Sequence, residues 1–362
     1  EHGRFLPLTN FAAFGDYKPP GYIYAAVPAI AIFGLTEFAV RFPSALFGTL
    51  TVLLTYLLAK KIFEKESTAL FAAFFLAISP WHLQFSRGAF EANVGLFFST
   101  LGIYLFLKFA KDNPIFILPS VLSFLAAMYT FTGQRLFTPF IIIVLLLQFR
   151  KQVVSNIKIV AATSVVAIFL FWPLFVFATQ TIEGRLRFNE VTIFKDLEPI
   201  DRSNRYREAD NGEWYFTITH NRRFLYAREY LVHYFDAFSP SFLFTRGDVN
   251  PRLSIQEVGE LYYVDLFLIL AGIYFLFAKE NKYRFLILGW LLISPLGPAT
   301  ARETPHALRM IHILPTFQLI AAFGLVRLYQ LIKFKKALIF GVALLLVAQF
   351  IFYLHMYYFH WP

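Results

Sequence analysis

Long apolar runs alternate with short polar connections along almost the whole chain. Each run approaches the roughly 20 residues that an α-helix needs to cross the hydrocarbon core of a bilayer. The pattern predicts ten spans, near residues 39–62, 67–83, 92–110, 114–131, 136–149, 156–178, 261–278, 284–300, 308–328 and 336–358. The predicted fold class is therefore an all-α polytopic membrane protein.

One further apolar run, residues 22–35, leaves two interpretations open. It is only about 14 residues long and contains Pro28, which suits an interfacial or re-entrant helix better than a span. If the run lies in the interface, Lys18 is on the outer side of the membrane. If it spans, Lys18 is cytoplasmic. We favour the interfacial interpretation.

Residues 179–260 form the one large hydrophilic segment. It holds 13 of the chain's 23 acidic residues, together with many arginines and aromatic residues. A disordered tether would be poorer in aromatic and aliphatic residues, so we expect this segment to fold against the membrane helices. We predict four regions: residues 1–38 as the end of a first external loop with an interfacial helix, 39–178 as transmembrane helices, 179–260 as an extracytoplasmic loop domain, and 261–362 as transmembrane helices.

The charges fit this topology. The chain has 362 residues, of which 58% are hydrophobic and 15% charged, and its net charge is +10. Basic residues concentrate in every second connection, within 60–65, 108–111, 150–158, 279–284 and 333–336. The positive-inside rule makes these connections cytoplasmic and places residues 179–260 outside. This distribution explains the net charge, and we predict no nucleic acid partner.

Cysteine is absent, which excludes disulfides, thiolate metal sites and cysteine nucleophiles.

The remaining polar residues collect in the connections of the predicted outer face. They are Asp16, Lys18, Arg87, Glu91, Gln134, Arg135, Arg302, Glu303, His306 and Arg309. Almost nothing charged lies at mid-membrane depth, where a secondary transporter binds its substrate. The distribution favours an enzyme that acts on a lipid head group at the membrane surface.

Several of these residues also have a simpler interpretation, which the sequence leaves open. Lys18 can be an interfacial anchor, and Glu91 can complement the positive end of its helix. Arg135 and Arg309 can face anionic lipid head groups. His306 has no second histidine or carboxylate at ligand spacing, so a hydrogen-bonding role is more common for it than metal binding.

Five segments carry a resemblance to a known family. GDYKPPGYIYAAVPAIAIFGLTEFAVRFPSALFGTL resembles the start of the prokaryotic glycosyltransferase family 39 proteins, which are relatives of the dolichyl-phosphate-mannose protein mannosyltransferases and the lipid A aminoarabinose transferases. HLQFSRGAFEANVG, YTFTGQRLFTPF, FSPSFLFTRGDVNPRLSIQEVGELYYVD and TPHALRMIHILP resemble the same group. The resemblance covers nearly the whole chain. It implies a C-type glycosyltransferase multi-helix bundle with one large external loop domain.

The resemblance also implies an activity. It predicts a multi-pass plasma-membrane enzyme that moves a hexose or pentose from a polyprenyl-phosphate donor to a protein, glycan or lipid acceptor, with inversion. The family's main catalytic aspartate lies in the first external loop, so we expect it upstream of Glu1, with Glu1 and His2 in a later part of that loop. We therefore expect this chain to lack that aspartate. The alternatives are a transporter or flippase of lipid-linked sugars and an inactive structural membrane subunit.

The functional residues of the family match positions of this chain with different degrees of specificity. Lys18 matches the family lysine that meets the donor phosphate, and Glu91 falls where related enzymes keep a second acidic residue, so it is the catalytic candidate within the chain. The other candidates are inferred from position, namely Arg87, Arg135 and Arg309 for phosphate binding and Asp16 and His306 for the pocket. No metal motif is evident. A divalent cation remains a possible cofactor. It is not required by the resemblance, because lysine and arginine can replace the family's cations.

Overall fold

A computed structural model of the chain describes residues 7, 9–13, 16–210, 214, 216–278 and 282–361. Two short strands, β1 Phe11–Ala13 and β2 Asp16–Lys18, pair antiparallel before the first helix. The α-helices of the described residues are α1 Pro20–Phe33, α2 Glu37–Phe63, α3 Glu66–Ile78, α4 Pro80–Arg87, α5 Glu91–Lys111, α6 Ile117–Thr130, α7 Gln134–Gln148, α8 Arg150–Ser155, α9 Ile157–Gln180, α10 Ile182–Val191, α11 Glu198–Ala209, α12 Phe216–Thr219, α13 Arg222–Asp236, α14 Tyr263–Ala278, α15 Arg284–Ile293, α16 Ala307–Met310, α17 Thr316–Leu331 and α18 Lys335–His355. Short 3₁₀ or π turns lie at Pro114–Phe116, Ile193–Lys195, Ser241–Thr245, Pro298–Thr300, Ile311–Ile313 and Met356–His360.

Each of the ten predicted spans coincides with a helix or with a bent pair of helices. Among the described residues, four helices are long and apolar enough to cross a membrane alone, namely α2, α5, α9 and α18 with its π turn. The number rises to six if each bent pair counts as one span. The helices α6, α7, α14 and α15 are apolar but shorter. The predicted all-α polytopic membrane fold is confirmed.

Three spans differ from the expected continuous helices. Span 67–83 consists of α3 and α4, which are bent by 58° at the break before Pro80. Span 308–328 consists of α16 with its 3₁₀ turn and α17, bent by 51° at the break that contains Pro315. Span 284–300 leaves the α-helical path after Ile293, just before Pro295. Proline lacks the backbone N–H and clashes with the preceding helical turn, which explains why these prolines stand where the helices end or begin.

The ambiguous run 22–35 forms the separate short helix α1. A helix of its 14 residues extends about 21 Å, which is less than the roughly 30 Å of a bilayer core. Gly34 ends α1, and the Thr36 hydroxyl caps the start of α2 by accepting the N–H of Ala39. The two helices pack against each other. The length of α1 fits the interfacial interpretation, which stays a prediction.

The basic connections gather at one end of the bundle. The Nζ of Lys61 lies 2.5 Å from a carboxylate oxygen of Asp112, and the Nζ of Lys111 lies 2.8 Å from Glu64. The Gln148 amide donates to the carbonyl of Lys282 at 2.9 Å. Exposed ion pairs of this kind contribute little stability individually. These contacts instead show which helix ends lie together, because they join the ends of α2, α5 and α7 to each other or to the start of α15. We call this the basic end, and we call the other end, which carries residues 179–262, the opposite end.

The bundle has a buried centre and an apolar outer belt. Helix α5 packs on α2 and α6, and α17 packs on α3 and α14, with every residue from Thr316 to Val326 buried. Helix α9 instead exposes Val165, Ile168, Phe169 and Trp172. Exposed apolar side chains along a membrane span form the surface that meets lipid.

The described residues of 179–262 are folded onto the opposite end. Thr192 forms an isolated β-bridge with Ala301, and the N–H of Arg302 donates to the carbonyl of Val191 at 2.9 Å. The Tyr230 hydroxyl donates to the carbonyl of Leu296 at 3.0 Å. These bonds attach α10 and α13 to the connection that follows α15. The division of the chain into four regions and the side on which this segment lies stay predictions.

Candidate functional site

Lys18 lies at the end of β2, on a turn that is held tightly against the bundle. Its side chain is partly buried, and the two prolines that follow are buried. Pro20 begins α1, where a missing N–H costs little. At the next position, a Cβ on Gly21 would lie 2.3 Å from the Thr130 hydroxyl, so only glycine fits there. The turn of Lys18 is therefore fixed against the C-terminal end of α6.

Two parts of the predicted site fall where the structure gives no side chain. Asp16 belongs to β2, but its side chain lies outside the described residues. Glu1 and His2 lie outside them altogether. Their roles stay predictions.

Arg135 lies at the same corner of the bundle as Lys18. Its Nε donates to the carbonyl of Met128 at 3.3 Å, in the last turn of α6. Its guanidinium lies 5.9 Å from the ring centre of Phe177, near the end of α9. Strand β2 packs on α10, which directly follows α9. The end of α6 thus adjoins both the turn of Lys18 and Arg135, whereas the end of α9 is shown to adjoin only Arg135.

Glu91 is the first residue of α5 and is half buried. It lies close enough to Tyr22, in α1, to influence that phenol electrostatically. The Tyr22 hydroxyl donates to the carbonyl of Val40 at 2.8 Å, which ties α1 to α2. The position of Glu91 at a helix start also suits interaction with the helix dipole. The structure is compatible with both sequence interpretations of Glu91.

A second set of residues surrounds Asp248, in a turn that the sequence analysis did not assign to the site. Gly247 has a φ of 73°, and a Cβ there would lie 2.3 Å from the Ser254 hydroxyl, so this turn requires glycine. The buried Asp248 carboxylate accepts the N–H of Ala307 at 2.6 Å and the N–H of Asn250 at 2.8 Å. The turn at 247–252 is thereby joined to the loop at 304–309.

Glu260 is buried next to Asp248. The N–H of Asp248 donates to Oε1 of Glu260 at 3.1 Å. Burial raises the pKa of Glu260 well above its usual value, and the nearby charge of Asp248 raises it further. Burial also raises the pKa of Asp248, although the N–H groups of Asn250 and Ala307 act in the opposite direction. Two adjacent buried carboxyl groups cannot easily both be charged.

His306 and Arg309 are brought together around Asp248. The Nδ1 of His306 lies 3.7 Å from a carboxylate oxygen of Asp248. Arg309 influences Asp248 electrostatically, and its guanidinium donates to the carbonyl of Glu303 at 3.2 Å. We call Asp248, Glu260, His306 and Arg309 the Asp248 cluster. It unites two residues that the sequence selected with two that it did not.

Arg87 occupies a different place at the opposite end. Its guanidinium carbon lies 4.4 Å from the ring centre of Tyr357 and 4.8 Å from that of Tyr358, in the π turn after α18. The indole N–H of Trp361 donates to the carbonyl of Pro251 at 2.7 Å. The same C-terminal segment therefore contacts both α4 and the turn at 247–252. The four predicted phosphate ligands are thus distributed over three places at one end of the bundle.

The arrangement suits binding of an anion more clearly than binding of a metal. Lys18, Arg87, Arg135 and Arg309 all lie at the opposite end, whereas the Asp248 carboxylate is already engaged by backbone N–H groups. Among the described residues, no group of three or more His, Cys, Asp or Glu side chains is placed to hold a metal ion. A divalent cation stays a prediction.

The chain matches a known family over its first half. Residues 17–177 match the model described as dolichyl-phosphate-mannose-protein mannosyltransferase. A protein of Aquifex aeolicus (strain VF5) that is described as uncharacterized is 32% identical over 200 residues, covering 55% of this chain and 40% of that protein. The chain thus spans about two fifths of the length of this curated relative. The resemblance to this family, which the sequence indicated, is confirmed over residues 17–177.

Solved structures of two membrane proteins have a similar fold. ArnT from Cupriavidus metallidurans, bound to undecaprenyl phosphate, has a TM-score of 0.59 at 14% identity, over 93% of this chain and 55% of ArnT. The oligosaccharyltransferase of Archaeoglobus fulgidus in complex with Zn and sulfate has a TM-score of 0.57 at 15% identity, over 94% of this chain and 44% of that one. The same enzyme tethered to an acceptor peptide gives 0.53 at 15% identity, over 94% and 45%. At these identities the likeness shows the fold alone, namely a polytopic multi-helix bundle like that of these proteins.

Proposed function

We propose that the chain is part of a membrane glycosyltransferase that moves a sugar from a polyprenyl-phosphate donor to an acceptor hydroxyl, with inversion, at the extracytoplasmic surface of the plasma membrane. The observation that carries this proposal is the family match over residues 17–177, which includes Lys18, Arg87, Glu91 and Arg135. The similar fold of ArnT, which was solved with undecaprenyl phosphate, supports a donor of the same class.

In this proposal the cationic residues of the opposite end bind the donor phosphate. Lys18 is the first candidate, because its turn is fixed between the buried prolines and α6. Arg135 adjoins the same corner, and Arg309 approaches through the loop at 304–309. The guanidinium of Arg87 lies over the rings of two tyrosines, and its N–H groups are chemically suited to phosphate. His306 and Asp16 are further pocket candidates.

The proposed reaction forms one bond and breaks another at the anomeric carbon. The acceptor oxygen attacks from the face opposite the phosphate and loses its proton to a carboxylate, while the bond from the sugar to the phosphate breaks. Negative charge then grows on the leaving polyprenyl phosphate, where a preorganised cation stabilises it. Glu91 orients the acceptor or helps a cation to bind, and the main base is the aspartate expected upstream of Glu1.

The experiment is a transfer assay with the full-length protein in lipid nanodiscs. Labelled undecaprenyl- and dolichyl-phosphate hexoses and pentoses are offered with peptide, glycan and lipid acceptors. The expected result is release of polyprenyl phosphate together with a glycosylated acceptor whose anomeric configuration is inverted.

Two other results would contradict the proposal. Movement of an intact labelled lipid-linked sugar across sealed vesicles, without donor consumption, would identify a transporter or flippase. Neither transfer nor transport with any donor would identify a structural subunit.

A further inference from the structure

Helix α13 carries an apolar stripe that no described part of the chain covers. Its members recur at helical spacing and are exposed, with Phe224 at 45%, Leu231 at 54%, Val232 at 51% and Phe235 at 64% of the residue's surface. Together with Ala227, they line an open groove of about 490 Å³. Soluble surfaces rarely expose a continuous apolar stripe of this kind, so it marks an interaction surface.

The other face of α13 is attached to the protein. The Tyr234 hydroxyl donates to the carbonyl of Leu292 at 2.7 Å, and the Tyr230 hydroxyl reaches the carbonyl of Leu296. The hydroxyl of Thr304 donates to the carboxylate of Asp236 at 2.9 Å. Glu229 lies 3.9 Å from Arg202 of α11. Both acidic residues of α13 are therefore paired within the protein, although Asp236 also lines the groove.

These tyrosine bonds indicate how deep each part of α13 lies. Helix α15 begins at the basic end and runs toward the opposite end, so Leu292 lies deeper in the membrane than Leu296. Tyr234 contacts the deeper carbonyl and Tyr230 the shallower one. The C-terminal half of α13 therefore descends beside the outer end of a span. Leu292 itself exposes 53% of its surface, so the stripe continues the lipid-facing belt of the bundle.

The charge of α13 points to the same surroundings. Arg222 and Arg223 are exposed at its shallow N-terminal end, and the exposed Arg228 lies along the stripe. Arginine side chains at this depth extend toward the head-group region, where anionic lipids attract them. An apolar stripe flanked by arginines is typical of a helix that lies in a membrane interface.

We propose that α13 is seated in the lipid leaflet at the opposite end of the bundle, with Phe235 deeper than Phe224, and that Arg222 and Arg223 hold anionic lipid head groups. This surface is independent of the proposed transfer activity. It gives residues 179–262 a second attachment, to the bilayer itself, besides their hydrogen bonds to the bundle.

The cysteine-free chain allows a direct test of depth. In the full-length protein in nanodiscs, nitroxide labels are placed at Phe224→Cys, Leu231→Cys and Phe235→Cys. Electron paramagnetic resonance then measures, at each position, how strongly oxygen and a water-soluble nickel chelate relax the electron spin of the nitroxide label. The control in water is Arg205→Cys, which is exposed on α11, and the control in lipid is Phe169→Cys on α9.

We expect the oxygen-to-nickel ratio to rise from position 224 to 231 to 235 and to shift toward the value at position 169. A ratio at 231 and 235 equal to that at 205 would overturn the proposal, because it would show a stripe in water. Spin–spin broadening at position 231 that disappears on dilution with unlabelled protein would also overturn it, because a second copy of the chain would then cover the stripe.

The head-group contact is tested with lipids of different charge. Adding phosphatidylglycerol to phosphatidylcholine nanodiscs should slow the motion of the label at position 224. The combined Arg222→Gln and Arg223→Gln substitutions should abolish this slowing, whereas Arg205→Gln should leave it intact. Equal label motion in both lipids would overturn the proposed binding of anionic head groups.

Discussion

The carboxylate of Asp248 and the N–H of Ala307 form a hydrogen bond of 2.6 Å that joins two distant loops of the chain. Asp248 acts here as a joint, since its oxygens accept backbone donors and are not available as a free base. The same loop at 304–309 carries His306 and Arg309. The positions of the His306 and Arg309 side chains therefore depend on Asp248, whose carboxylate is fully used for hydrogen bonds within the protein.

Asp248→Ala should lower the thermal stability of the purified protein. The substitution leaves the buried N–H of Ala307 without its acceptor, which costs about 1–3 kcal/mol for a buried donor. The melting temperature in detergent measures the effect. Asp201→Ala, at an exposed position of α11, is the control and should change the melting temperature much less. An equal fall in melting temperature in the two variants would contradict the stabilising role of the hydrogen bond between Asp248 and Ala307.

Glu260→Gln should flatten the dependence of stability on pH. Burial raises the pKa of Glu260 well above 4.5, so the folded chain retains this proton to a higher pH than the unfolded chain does. The stabilising contribution is complete below the unfolded pKa and declines as pH rises toward the folded pKa. As the pH rises above the ordinary glutamate value of 4.5, the melting temperature of the unsubstituted protein should therefore fall more steeply than that of the variant. Parallel curves would show that this carboxyl group does not titrate differently on folding.

Lys18→Ala should lower transfer about ten- to a hundred-fold at saturating donor. A charge-assisted hydrogen bond from the ammonium to phosphate is worth about 1.5–3 kcal/mol, and its loss acts on turnover if the bond strengthens in the transition state. Single-turnover kinetics measure the effect, and Lys18→Arg is the charge-retaining control. Normal turnover in the alanine variant would leave Lys18 as an interfacial anchor.

Glu91→Gln should depress transfer without changing expression or melting temperature. The amide keeps the shape of the side chain at the start of α5 but removes the charge that orients an acceptor or a cation. Glu37→Gln, at the exposed start of α2, is the matched control at another helix N-terminus. If both variants retain full activity, the helix-dipole explanation of Glu91 is sufficient.

Single cysteines at Lys60 and Trp214 should react from opposite sides of the membrane. Lys60 lies at the basic end, and Trp214 belongs to the segment folded onto the opposite end. An impermeant maleimide added to intact cells should label position 214 and spare position 60 until the membrane is opened. Labelling of both positions by external reagent would refute the predicted topology.

The apolar helices were predictable because the thickness of a bilayer imposes a length on each apolar run, and each predicted span agrees with the charge alternation of the connections. Their bends were not, since Pro80 and Pro315 are compatible with a kinked helix as well as with a break. Lys18, Glu91 and Arg135 were found because they interrupt apolar sequence. Asp248 and Glu260 lie in a polar segment among many other acids, and only their burial distinguishes them. The quoted segment around GDVNPR was the signal that could have drawn attention to this turn.

The contacts of the C-terminal segment have a consequence for biosynthesis. Arg87 and Pro251 emerge from the ribosome before their partners Tyr357 and Trp361 exist. Until α18 and its π turn have been inserted, the end of α4 and the turn at 247–252 lack these contacts. A nascent chain arrested before residue 356 should therefore expose this region to proteases and chaperones.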